Sequence, residues 1–238
     1  MTSSRWSSTT GATELWPMAP EEAAGPDPVR FIVYSDYLCP WCFNASVRLH
    51  RLEEENPGRV ELVWRSYLLR PEPRAADPSG EALEKFRHYT RSWLRPAAEA
   101  DSGEFRVWEG DEAPPSHSIP AQVVAKAAAR IDSLAFRRLH QRLLHAYFAE
   151  NRDISNPETL SACWRDAGLA SERFSDSDDP SLVQEVFADH REALDCGATG
   201  VPGVRLDGNP AVIVGAQPLE LYQRWLDRTI SRRSSAEC

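Results

Sequence analysis

The run Val29-Arg30-Phe31-Ile32-Val33-Tyr34, followed after a four-residue loop by Cys39-Pro40-Trp41-Cys42, limits the fold of this chain more than any other feature. The first stretch is β-branched and aromatic and reads as a short buried strand. From Cys39 the pattern turns helical. Phe43, Val47 and Leu52 fall near one face, and Glu53-Glu54-Glu55 and then Asn56-Pro57-Gly58 end it. Val60-Glu61-Leu62-Val63-Trp64 reads as a second strand, so the unit is a right-handed βαβ crossover with two cysteines at the start of its helix.

The remaining pattern places a helical block between strand-rich ends. Segments 80–100, 120–130, 133–149, 157–168 and 180–195 read as helices, and residues 101–119 as a long linker without regular pattern. Asn156-Pro157 has cap and first-turn character, and Gly168 sits where a helix stop belongs. Gly203-Val204-Arg205-Leu206 and Ala211-Val212-Ile213-Val214 flank an Asp207-Gly208 hairpin turn. Pro218-Leu219 opens a last helix, and residues 231–238 read as a polar tail. The order βαβ, helices, ββα is expected to build one four-stranded mixed sheet with the helical block as an insertion.

Spacing gives the cysteine pair its chemistry. Residues three apart on a helix lie on one side of it, about one turn apart, and can close a small disulfide. Cys39 stands at the helix N-terminus, where free N–H groups and the dipole favour a thiolate, the form that attacks disulfides. It is expected to be the exposed nucleophile, and Cys42, one turn inside, the buried resolving thiol. Pro40 suits the first turn because its missing N–H has no partner there anyway. Trp41 offers an uncharged apolar surface beside the nucleophile. Two blander readings compete. Cys-x-x-Cys is half of a zinc site, but no second such pair is present, and His140 and His145, five apart on a helix, are the histidines that could in principle assist. The pair is otherwise two core thiols. No metal and no cofactor is expected.

Of the other cysteines, Cys163 reads as core and Cys196 as a small residue at a helix end, although it is close enough in sequence to Pro202 to be a third thiol. Cys238 is terminal. The six histidines are scattered without an evident Ser or Cys partner and read as surface or satisfied core residues. Trp93 and Trp108 read as core or as the lining of a groove. The formal net charge of −9 argues against nucleic acid as a partner. No apolar run is long enough for a membrane span. Residues 1–28 are rich in Ser, Thr, Ala, Glu and Pro, lack the apolar core of a secretory signal, and are expected to be disordered. The expected address is the cytoplasm.

Residues Ser35 to Cys42, Trp64-Arg65-Ser66-Tyr67-Leu68-Leu69-Arg70-Pro71, Ala146-Tyr147-Phe148 with Arg152-Asp153-Ile154, and Gly197 to Pro202 with Val214-Gly215-Ala216-Gln217-Pro218 resemble the DsbA family. More narrowly they resemble its cytoplasmic FrnE-like branch. The resemblance implies an α/β thioredoxin-like fold over 29–78 and 198–230 with an inserted all-helical domain over 79–197. It implies thiol–disulfide exchange through Cys39 and Cys42 with protein or small-thiol substrates. It also implies a cis Val201-Pro202 bond facing the pair, with the Val201 backbone open to an extended substrate and Pro40, Trp41 and Pro202 beside it; the residues alone favour a trans turn. Gly203 departs from the family, which often has a larger residue there, so a more mobile loop is expected. Glutathione-using isomerases and transferases of the 2-hydroxychromene-2-carboxylate isomerase and kappa type share this fold but generally carry serine at the nucleophile position. A binding or chaperone module with regulatory cysteines is a third reading.

Overall fold

A computed structural model describes residues 27–75, 77 and 79–236; the expected disordered segment, apart from its last two residues, lies outside them, as does Cys238. β1 (Val29–Ser35) leads through a tight turn into α1 (Pro40–Glu55), and β2 (Val60–Ser66) returns parallel to β1. β3 (Gly203–Leu206) and β4 (Ile213–Val214) come from the far end of the chain. The sheet order is β2-β1-β3-β4, with β3 antiparallel to β1 and β4 antiparallel to β3. The mixed sheet expected from the element order is therefore present.

β1 reads as a continuous apolar run because both of its faces are covered. Phe31 and Val33 face Leu49 and Leu52 of α1 and Tyr222 and Leu226 of α8 (Leu219–Ala236). Ile32 and Tyr34 face Ala193 of α7 (Pro180–Asp195) and Ala198. Arg30, the exposed exception, pairs with Glu61 of β2 at 2.6 Å.

Between β2 and α7 lie α2 (Glu81–Thr90), the short α3 (Leu94–Ala97), α4 (Ile119–Ala129), α5 (Ser133–Phe148) and α6 (Pro157–Asp166). The caps follow their sequence signals. Asn156 accepts the Glu158 N–H, Asp132 that of Ala135 and Asp179 that of Ser181, while Gly168 and Gly197 adopt positive φ just past α6 and α7. Trp93, Trp108 and Trp164 are buried with Leu139, Leu143 and Phe148 in the helical core, and Trp108 also forms part of the wall of a surface cavity beside Arg87, His88 and Leu94. That core also takes Tyr37, Phe43 and Leu68 from the sheet unit. Phe43 stacks on Phe148 with ring centroids 5.8 Å apart, which fixes the cysteine-bearing helix to the helical block.

The 101–119 segment has little regular structure, as expected, and is pinned to the helices, with Arg106 N–H donating to Phe148 O at 2.7 Å and Trp108 N–H to Thr90 Oγ1 at 3.0 Å. One expectation needs correction. The region 231–238, read as a tail, continues α8 to Ala236. There Ser231, Ser234 and Ser235 donate back to the carbonyls four residues earlier, so their hydroxyls are satisfied on the helix itself, and Arg233 ties the helix end to the Asp27 carbonyl.

Candidate functional site

The β1–α1 turn is built on Asp36. Its buried carboxylate accepts Leu38 N–H at 2.8 Å, Leu69 N–H at 2.6 Å and the Ser118 hydroxyl at 2.6 Å, and its carbonyl accepts Cys39 N–H at 3.0 Å. One side chain thus ties the cysteine turn to the loop after β2 and to the start of α4. Burial raises the Asp36 carboxyl, against the pull of Ser118, Leu38, Leu69 and the Arg70 charge. Sequence reasoning missed this role, although an acid between an apolar strand and an apolar helix start is a signal. Ser118 precedes Ile119-Pro120 like a helix cap, but it spends its hydroxyl on Asp36 instead.

Cys39 is the extended residue before α1, Pro40 takes the first helical position, and Cys42 N–H donates to Cys39 O at 3.0 Å. Both thiols are free. Cys42 is fully buried. Burial lifts its thiol well above the ordinary range, the Cys39 thiol lifts it further, and the Ser35 hydroxyl and Asp36 backbone draw it down. Cys39 is not the exposed residue expected at a helix terminus: it is 5 % accessible, because the segment carrying Val201 covers it. Its thiol donates to the Val201 carbonyl at 3.4 Å. The Val201-Pro202 bond is cis. Pro40, Trp41 and Val201 are partly exposed around the sulfur, while Pro202 is buried.

Gly203 is less free than expected. It pairs with Val214 in the β3–β4 ladder, and a Cβ there would sit 3.4 Å from Gly200 O and from Val212. The lack of a side chain serves close packing rather than mobility. Cys196 ends α7 with its thiol beside the Tyr34 hydroxyl, and Cys163 is core.

The histidines also need correction, because two of them share a serine. Ser46 Oγ lies 2.9 Å from His140 Nε2 and 3.2 Å from His50 Nδ1, and His140 Nδ1 lies 2.9 Å from the Tyr37 hydroxyl. Burial, then the neighbouring His50 charge, lowers His140 well below the usual imidazole range. Burial and the Arg137 charge bring His50 down to about 4, against the pull of the Ser46 carbonyl. Both rings are neutral near pH 7, and they join Tyr37 to α1 and α5. His145 instead meets Glu104 and Glu150 at the surface. Among the described residues no group of three or more His, Cys, Asp or Glu side chains converges as a metal ligand set, and no helix is long and apolar enough to cross a membrane.

The site thus offers two thiols one turn apart, one covered by a backbone carbonyl and one sealed in the core. The chain resembles known proteins in sequence and fold. The Bacillus subtilis (strain 168) protein YwbO, itself uncharacterized, is 26% identical over 206 residues, covering 82% of this chain and 94% of that one. The structure of a probable DsbA oxidoreductase from Streptomyces coelicolor is 26% identical with a TM-score of 0.67, covering 85% of this chain and 90% of its own. The cytosolic disulfide reductase DsbM from Pseudomonas aeruginosa, solved with GSH, shares the fold at a TM-score of 0.67 and 21% identity, covering 85% and 99%. The DSBA-like thioredoxin domain model matches residues 30–227, and the chain belongs to that family.

Proposed function

We propose that this protein is a thiol–disulfide oxidoreductase that works through Cys39 and Cys42 in a reducing, cytoplasmic setting. The observation that carries the reading is the asymmetry of the pair: Cys39 stands at the helix start under the Val201 carbonyl, and Cys42 is sealed one turn below. In the reducing direction the Cys39 thiolate attacks one sulfur of a substrate disulfide. The substrate S–S bond breaks, a mixed disulfide forms on Cys39, and one substrate thiolate leaves. Cys42 then loses its proton and attacks the Cys39 sulfur, which closes the Cys39–Cys42 disulfide and releases the second thiolate. The substrate gains two electrons and the protein dithiol loses two; oxidation of a substrate dithiol is the reverse.

Val201 offers its backbone to the substrate segment next to the sulfur, with Pro202 beneath it and Pro40 and Trp41 as the flanking apolar surface. The narrower likeness to FrnE-like sequences and the similarity to DsbM, a cytosolic disulfide reductase, support the compartment. Cys42 has no task in a glutathione-using isomerase or transferase, which counts against that alternative. Trapping tests the assignment. Cys42→Ser treated with a disulfide substrate is expected to accumulate a covalent adduct on Cys39, read by mass, and Cys39→Ser to form none on Cys42. An adduct on Cys42 in Cys39→Ser reverses the roles, and turnover surviving in both variants removes the pair from the mechanism.

A further inference from the structure

Arg70 and Arg74 belong to the proline-rich loop after β2. The Leu69-Arg70 backbone is tied through Asp36 and Ser118 to the Cys39 turn, and Arg74 is anchored further along, on Ser116. Leu69 N–H donates to the Asp36 carboxylate, Arg70 N–H to Ser118 Oγ, Ser118 N–H to Arg70 O and Arg74 N–H to Ser116 O, while Asp36 O holds Cys39 N–H. The Arg74 guanidinium lies 5.7 Å from the centroid of Phe86, whose ring is 6.0 Å from that of Tyr89. Tyr89 is half exposed. Partial desolvation raises its hydroxyl and a charge on Cys39 raises it further, while Trp93, Arg70 and Arg74 draw it down. Sulfur and both guanidiniums therefore lie within electrostatic reach of one phenol.

Among the described residues neither guanidinium meets a carboxylate. Arg70 makes one long bond, from Nη1 to Pro115 O at 3.4 Å, and the buried Arg74 Nε has no partner. Glu72, between them in sequence, is exposed, and its charge reaches His117. Both arginines are partly buried and repel each other; burial and the Arg70 charge lower Arg74. Two adjacent, half-desolvated cations without a direct carboxylate partner favour an arriving anion, since the acid within reach of the Arg70 charge, Asp36, is buried and already takes three other donors. They also stand out against a chain of net charge −9.

We propose that Arg70 and Arg74 form an anion-recognition subsite beside Cys39 that selects a small disulfide whose arms carry carboxylates. The inference rests on exchange at Cys39 as proposed above. Guanidinium forks match carboxylates in geometry and charge. A small disulfide meets only this local positive field, whereas an acidic protein would meet the repulsion of the whole chain. Cys39 attacks the nearer sulfur while a carboxylate of that arm rests on the arginines, and the other arm leaves as its thiolate.

The test compares oxidation of the fully reduced, full-length protein by oxidised glutathione, with carboxylates on both arms, and by bis(2-hydroxyethyl) disulfide, with none. The readout is the ratio of the two second-order rate constants, which cancels general damage to the site. Arg70→Gln and Arg74→Gln are each expected to lower the ratio about tenfold, in line with the loss of one charge-assisted bond. Arg74→Lys is expected to retain part of it. Raising salt from about 0.05 M to about 0.5 M is expected to lower the wild-type ratio and leave that of the double variant nearly flat. A ratio indifferent to both arginines overturns the subsite while exchange stands. A wild-type protein oxidised by neither disulfide overturns exchange itself. An acidic protein disulfide showing the same arginine dependence overturns the small-molecule assignment.

Discussion

The Cys39 thiol donates to the Val201 carbonyl at 3.4 Å across 162 positions of chain. The carbonyl belongs to the loop between α7 and β3, and the thiol to the turn between β1 and α1. Antiparallel pairing of β1 with β3, Tyr34 opposite Gly203, sets the two turns side by side at one end of the sheet. In the proposed exchange, a substrate that takes the Val201 backbone arrives beside the sulfur assigned to attack it.

In the proposed exchange, Cys42 sets the pH dependence of release. Burial raises its thiol, with a further push from Cys39 that vanishes once Cys39 is in a mixed disulfide. Burial remains, so at neutral pH only a small fraction is thiolate. Resolution of a mixed disulfide preformed on Cys39 is expected to accelerate steadily from pH 6 to about 9, beyond the ordinary thiol value of about 8.5. Rapid-mixing measurement of product release checks this; a plateau near pH 7 contradicts it.

Asp36 holds three donors, two of them backbone N–H groups. Asp36→Ala leaves all three without that acceptor and is expected to cost about 3 kcal/mol or more, read as a lower denaturant midpoint at unchanged slope. The sign with pH is also set. The folded pKa is raised, so the contribution of this group is fully present below the unfolded value of about 3.9 and is lost as pH rises through the folded value. The stability of the wild type relative to Asp36→Asn is therefore expected to fall as pH is raised above about 4. A gap that widens with pH would contradict this.

Phe43 and Gly103 are coupled. A Cβ at Gly103 would overlap the Phe43 ring, which is held between Phe105 and Phe148. Gly103→Ala is expected to cost about 1–3 kcal/mol by overpacking, and Phe43→Ala about 3–5 kcal/mol by cavity formation. In the double variant the new methyl enters the vacated space, so the cost is expected to be less than additive. Chemical denaturation of the four proteins measures the coupling, and strict additivity refutes it.

The buried histidines weaken the fold in acid. His50 is lowered to about 4 and His140 is lowered as well, so the stability held in their neutral forms is complete above the unfolded value of about 6.5. It is lost as pH falls, for His50 between about 6.5 and 4. His50→Gln with His140→Gln is expected to start less stable at pH 7, where Ser46 and Tyr37 are less well matched, and to decline less steeply between pH 6.5 and 4. Thermal melts across that range check it, and parallel declines count against it.

The sequence by itself determined what depends on neighbours within a turn or two. The buried strand over residues 29–34, the helix opened by Pro40 and stopped at Asn56, the caps at Asn156 and Gly168, and the spacing of Cys39 from Cys42 all rest on short-range sterics and hydrogen bonds. The element order implied a mixed sheet with inserted helices, because two strand-rich ends can bury their apolar residues together. Family likeness, rather than local pattern, pointed to the cis bond before Pro202. Only the tertiary structure decided partners and burial. It covered Cys39 with Val201, gave the Asp36 carboxylate donors from three segments, and set Ser46 between His50 and His140. Composition marks each of these as an ordinary polar residue. Desolvation and hydrogen-bond choice depend on which distant segments arrive, and no local pattern encodes that arrival.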